Sequence, residues 1–163
     1  MTCWQKLADG SGTGTPDLAA TGGMRRSMRR TLRITVAQMV ADARGRIEEI
    51  DAGDAIALLG DPAVVIVDLR DVRERQRGGY IPGSFHCPRG MVEFWVDPES
   101  PYYKDIFGSD AKFVFHCASG WRSAITVDTL QRMGFDNIAH IRDGFSAWCN
   151  AGGPVEMPDQ PGG

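Results

Sequence analysis

The sequence predicts an open α/β fold: a doubly wound parallel sheet flanked by helices on both faces. Three observations carry that expectation. Short apolar runs rich in strand formers alternate along the chain with segments whose apolar residues recur at helical spacing. One run, Val64-Val65-Ile66-Val67, is apolar on both alternating faces, as a central strand covered on both sides must be. A further run, Lys112 to His116, leads through a turn into a segment with Ala124, Ile125, Val127, Leu130 and Met133 mostly at helical spacing. Cys117 therefore stands at a strand-turn-helix junction, and ligands of open α/β sheets bind at the carboxyl ends of strands. A chain of 163 residues, 42% hydrophobic, suits one domain with a core of ordinary size.

The elements follow in order. Residues 1–23 are rich in Gly, Thr, Ala and Asp without periodicity, and a basic run follows, so residues 1–34 are expected to be a disordered leader or basic arm. Thr35 with Gln38 makes a capping box, and Val36, Met39, Val40 and Ala43 share one face of the helix it opens. Residues 47–50 form a short strand, after which Asp51 caps a helix through Ala55, Ile56, Leu58 and Leu59 that Gly60-Asp61-Pro62 ends. Beyond the 64–67 strand, Asp71 and Glu74 open a short helix closed by Gly78-Gly79. Residues 84–87 are a strand and 89–96 a helix carrying Met91, Phe94 and Trp95, ended by Pro98, with Met91, Phe94, Trp95 and Trp148 as core or pocket wall. Residues 97–105 form an irregular excursion of the kind that shapes the mouth of a site. A single domain over 35–156 results, with a flexible tail over 157–163.

Charge and cysteine content exclude some functions. The first 33 residues carry six basic side chains against two acidic ones, a net +4, which leaves −7 for the rest of the chain. An acidic body argues against nucleic acid as a partner. No apolar run approaches the ~20 residues of a membrane span, so a soluble protein without membrane partners is expected. Cys3, Cys87, Cys117 and Cys149 have no paired spacing and read as reduced thiols, hence a cytoplasmic setting, with Cys87 and Cys149 as small packed residues.

The loop itself, His116-Cys117-Ala118-Ser119-Gly120-Trp121-Arg122-Ser123, is where chemistry is expected. Amides of residues 118–122 curling around the sulfur, with the following helix directing its positive end there, favour thiolate over thiol. Gly120 lets the backbone turn, Trp121 leans outward at the entrance and Arg122 adds a fixed positive charge. His116, by strand alternation, points away from Cys117 and reads as a packed strand histidine.

This loop resembles the active-site loop of the rhodanese (sulfurtransferase) family. The likeness extends upstream to Val64-Val65-Ile66-Val67-Asp68-Leu69-Arg70-Asp71, Glu74 and Gly79-Tyr80-Ile81-Pro82-Gly83-Ser84. Downstream it takes in Gly134-Phe135-Asp136-Asn137-Ile138, Asp143-Gly144-Phe145-Ser146-Ala147-Trp148 and Gly153-Pro154-Val155. Tyr80 stands where the family usually has histidine, and Asp143 where glycine is common. The resemblance implies that Cys117 carries a persulfide, taking sulfur from a small donor such as thiosulfate or a mercapto-acid and passing it to a thiol or cyanide-like acceptor, or to a protein persulfide partner. It implies no metal or organic cofactor. It also implies that Arg70 binds the donor anion while Asp68 braces the loop. Two alternatives share the fold: a persulfide-carrying or interaction module, and a phosphatase or arsenate reductase. The latter enzymes place five residues between cysteine and arginine, whereas this chain has four, a smaller cradle suited to one sulfur.

Overall fold

The computed structural model describes residues 30–159. The leader expected over 1–34 falls almost wholly outside the described residues, as do Cys3 and the last part of the expected tail. Within the described span the capping box at Thr35 is formed: its side chain accepts from the Gln38 amide while Gln38 accepts from the Thr35 amide, opening α1 (Val36–Arg44). β1 (Glu48–Ile50) and α2 (Ala52–Ala57) follow. Asp51 occupies the N-cap position of α2, but its side chain makes no capping hydrogen bond and instead lies 3.3 Å from Arg142.

β2 (Val64–Asp68) leads into α3 (Val72–Gly78), which opens on a second capping box, Asp71 with Glu74. After β3 (Phe85–His86), the expected 89–96 helix is split into a 3₁₀ turn, Arg89–Met91, and the short α4 (Val92–Val96). β4 (Lys112–His116), α5 (Trp121–Arg132), β5 (Ile138–Ile141) and α6 (Gly144–Asn150) complete the elements of the described residues. The five strands form one sheet in the order β1-β5-β4-β2-β3, all parallel. The 64–67 run is interior, as expected, although the middle position of the sheet belongs to β4.

Strand alternation divides the core in two. Val67, Phe113 and Phe115 face one layer with Val92, Phe107, Val127 and Leu130, whereas Ile66 and Val114 face the other with Ala55, Ile141, Phe145 and Trp148. Helices thus cover both faces, and α1 lies outside α5 through Val40, Ala43 and Ala124. Phe94 departs from expectation: α4 is one turn long and presents it to solvent, 53% exposed, edge-on to the Tyr102 ring. The segment after α6 is held where Trp148 donates to the Pro154 carbonyl and Tyr80 pairs with Glu156. Among the described residues no helix is long and apolar enough to cross a membrane.

From β2 the chain departs toward β3, and from β4 it departs the opposite way toward β5, although β2 and β4 are neighbours. The crevice beyond their carboxyl ends is the topological switch point of the sheet. Asp68, Arg70 and Cys117 all leave the sheet there.

Candidate active site

Cys117 is the first residue after β4, and its side chain turns back into the core layer, leaving the residue 1% exposed. The Gly120 amide donates to Sγ at 3.1 Å, and the Ser123 hydroxyl lies 3.6 Å from it. Gly120 makes this possible by adopting φ +86°, with no room for a Cβ, which would lie 2.9 Å from the Asp143 amide nitrogen. The opposite side of the loop is held by α6: the Phe145 amide donates to the Cys117 carbonyl (2.8 Å) and the Ser146 amide to that of Ala118 (3.0 Å). Asp143, in the position where glycine is common, sits at φ +58°, a left-handed conformation that aspartate tolerates better than most residues, and its carboxylate accepts from Arg44.

Loop residues 117–123 are brought together as one turn, with Trp121 46% exposed at its rim and Ser123 fully buried beneath it. Ala118 and Ser119 place no charge in the loop. Arg122 interacts with Cys117, but its main partner is Glu74: both of its terminal nitrogens donate to that carboxylate at 2.8 Å. That bidentate pair raises the Arg122 pKa and lowers that of Glu74.

Arg70 does not line the crevice. It is 3% exposed, its fork grips both oxygens of Asp68 and donates to the Gly79 carbonyl, and its guanidinium lies 3.8 Å from the centre of the Phe145 ring. An arginine so fully used holds α3, β2 and α6 together instead of facing a donor. Asp68 is the hub of this group, with Arg75 at 3.4 Å as a second partner lying over the Tyr80 ring. Burial opposes its charge, but the hydrogen bonds from Arg70 prevail and hold the carboxyl below its usual range.

His116 points to the other face of the sheet, fully buried and stacked on Phe145 at 6.0 Å. Its Nε2 has no hydrogen-bond partner and lies 3.8 Å from Asp68. Burial drives its pKa down to about 4, overriding the attraction of Asp68. Cys87 is buried with its thiol pushed up to about 12 by burial, so it stays protonated and inert at neutral pH.

A strand-loop-helix turn at the switch point thus holds one buried sulfur against the Gly120 amide, and the rhodanese-like domain model matches residues 51–151, well over half of the chain. The chain belongs to the rhodanese-like domain family. Curated relatives of this rhodanese-like domain include thiosulfate sulfurtransferase/rhodanese-like domain-containing protein 3 of mouse, 27% identical over 97 residues, covering 56% of this chain and 62% of that one. The thiosulfate sulfurtransferase GlpE of Actinobacillus succinogenes is 28% identical over 90 residues, covering 54% of this chain and 74% of its own. A solved structure from Rhodopseudomonas palustris, described as a protein of unknown function and possible tyrosine phosphatase, is 53% identical over 79% of this chain and 99% of that one, with a TM-score of 0.77.

Two side chains that bond to the loop of this rhodanese-like domain, Glu74 to Arg122 and His140 to Ser123, escaped sequence reasoning. Glu74 was visible as a helix opener, but nothing marked it as the partner of Arg122, 48 positions away. His140, buried in β5, showed no signal beyond being a lone histidine in an apolar run.

Proposed function

We propose that this protein is a sulfurtransferase that moves sulfane sulfur from a donor to a thiophilic acceptor through a persulfide on Cys117. The observation that carries the reading is the six-residue loop from Cys117 to Arg122, in which the Gly120 amide points at Sγ. Cys117 attacks the electron-poor sulfur of the donor, the donor's remainder departs with the bonding pair, and the terminal persulfide sulfur occupies the anion-binding turn. An acceptor thiolate then attacks that outer sulfur and Cys117 leaves as thiolate. The supply of positive charge argues about the donor. Arg122 is neutralised by Glu74 and Arg70 by Asp68, and the surplus charge of the Asp68 group rests on Arg75, largely buried against Tyr80. A dianion such as thiosulfate gains little there, so thiosulfate is a weak donor and a mercapto-acid or protein persulfide a better one.

The test is intact mass. Incubation with a sulfur donor adds one sulfur atom to the protein, dithiothreitol removes it, and Cys117→Ser abolishes the addition. Persulfide persisting in that variant, or mapping to Cys87 or Cys149, overturns the assignment.

A second reading, a phosphatase, is favoured by the description of the Rhodopseudomonas palustris protein. Against it stand the loop with four residues between cysteine and arginine and an arginine already bound at both nitrogens. Hydrolysis of an aryl phosphate by the native protein, lost in Cys117→Ser, would establish it in place of sulfur transfer.

A further inference from the structure

Beneath the loop, away from the crevice, a line of polar groups runs from the sulfur to the edge of the sheet. Cys117 Sγ is 3.6 Å from Ser123 Oγ, Ser123 Oγ is 2.9 Å from His140 Nδ1, and His140 Nε2 is 2.7 Å from Glu49 Oε2. Ser123 and His140 are fully buried, whereas Glu49, on edge strand β1, is partly open to solvent. The donors and acceptors order themselves. A carboxylate only accepts, so Nε2–H donates to Glu49 and Nδ1 is left as an acceptor. Ser123 must then donate its hydroxyl proton to Nδ1, which leaves its oxygen lone pairs to the thiol of Cys117. Every bond in the line has one direction, and the direction leads away from the sulfur.

We propose that Ser123, His140 and Glu49 form a proton relay that takes the thiol proton from Cys117. The S–H proton passes to Ser123 Oγ as the Ser123 proton passes to His140 Nδ1. One S–H and one O–H bond break, one O–H and one N–H bond form, and no electron changes hands. The product is a thiolate that accepts from Ser123 and an imidazolium that faces Glu49. When the acceptor has taken the outer sulfur, the proton returns by the same path. Ser123 touches the reacting atom and is catalytic in this sense, while His140 and Glu49 act through it as positioning residues.

The charged groups around His140 suit the task. Glu49 favours the imidazolium, Arg44 (3.5 Å from Glu49 Oε2) and Arg142 (3.8 Å from Oε1) moderate that pull, and Asp143 in turn binds Arg44. Burial outweighs these and holds His140 below its ordinary range, so at neutral pH the ring is an unprotonated base. The proposal rests on the sulfur-transfer reading for its purpose, but its test needs no sulfur donor.

Thiolate at Cys117 is read from ultraviolet absorbance as a function of pH, as the difference between each protein and its Cys117→Ser counterpart. His140→Asn supplies an amide oxygen that can still accept from Ser123 but has no basicity. A purely structural hydrogen bond survives that change, whereas the relay does not. The expected result is about tenfold less thiolate at pH 7 and a curve displaced to higher pH. Glu49→Gln, on the edge strand where folding tolerates change, is expected to give a smaller displacement in the same direction. Glu48→Gln, on the same strand outside the line, is expected to give none. Superimposable curves for the native protein, His140→Asn and Glu49→Gln would overturn the relay and leave the persulfide chemistry untouched. Displaced curves in a protein that accepts no sulfur would establish the relay and sink the transferase.

Discussion

The buried His116 makes a quantitative claim about acid stability. Its ring is fully buried, stacked on Phe145 and without a hydrogen bond at Nε2, and its pKa falls from 6.5 to about 4. Below pH 6.5 the unfolded chain takes up a proton that the folded chain refuses, so stability falls as pH drops from about 6.5 toward about 4 and the loss levels off below that. With those two values, His116 alone costs about 2 kcal/mol between pH 7 and pH 5. His116→Leu removes the titration while keeping an apolar side chain in the layer. Urea unfolding of both proteins at pH 7 and pH 5 checks the claim, since His140 is common to both and cancels, and Asp68, held below its usual range chiefly by Arg70, stays ionised across this window in each. The variant is expected to gain about 2 kcal/mol on the native protein on going from pH 7 to pH 5, whatever their difference at pH 7. A stability difference that does not change with pH would refute the reasoning.

Two further outcomes follow from the loop. Glu74→Gln releases Arg122 from its bidentate partner, so the KM for thiosulfate is expected to fall about threefold with kcat little changed, in keeping with the modest strength of a partly exposed pair. An unchanged KM in steady-state assays would show that Arg122 does not meet the donor. Gly120→Ala forces a side chain into a left-handed conformation against the Asp143 backbone, and a loss of about 1–3 kcal/mol in denaturant unfolding is expected. A variant as stable as the native protein would show that the turn can relax without glycine.

Local signals were read well from sequence because they connect residues a few positions apart. Both capping boxes, Thr35 with Gln38 and Asp71 with Glu74, span three residues and are present. The strand-turn-helix around Cys117 was visible for the same reason, with α5 beginning at Trp121, three residues before the first apolar residue of its helical periodicity, Ala124. Partnerships made by topology were not visible. Asp51 has the residue type and backbone of a cap, yet its carboxylate turns to Arg142, which β1–β5 pairing brings alongside. Arg70 is expected at the donor only because the family resemblance implies it. Only the folded chain reveals that Asp68, Gly79 and Phe145 surround it. Apolar type alone placed Phe94 in the core or pocket wall, but α4 is too short to bury both of its faces.

The bond between Glu49 and His140 joins residues 91 positions apart, from the first and the last strand of the described residues. The environment of the sulfur is therefore a late product of folding. Closing that span carries the entropy of a long loop and is rewarded only when β1 docks on β5 at the sheet edge. A ribosome releasing this chain in order holds Cys117 outside its final setting until residue 146 has emerged. During that interval the thiol lacks both the α6 amides that grip its loop and the Ser123–His140 pair beneath it. The setting that the proposed chemistry requires at Cys117 therefore exists only once the sheet and α6 are complete.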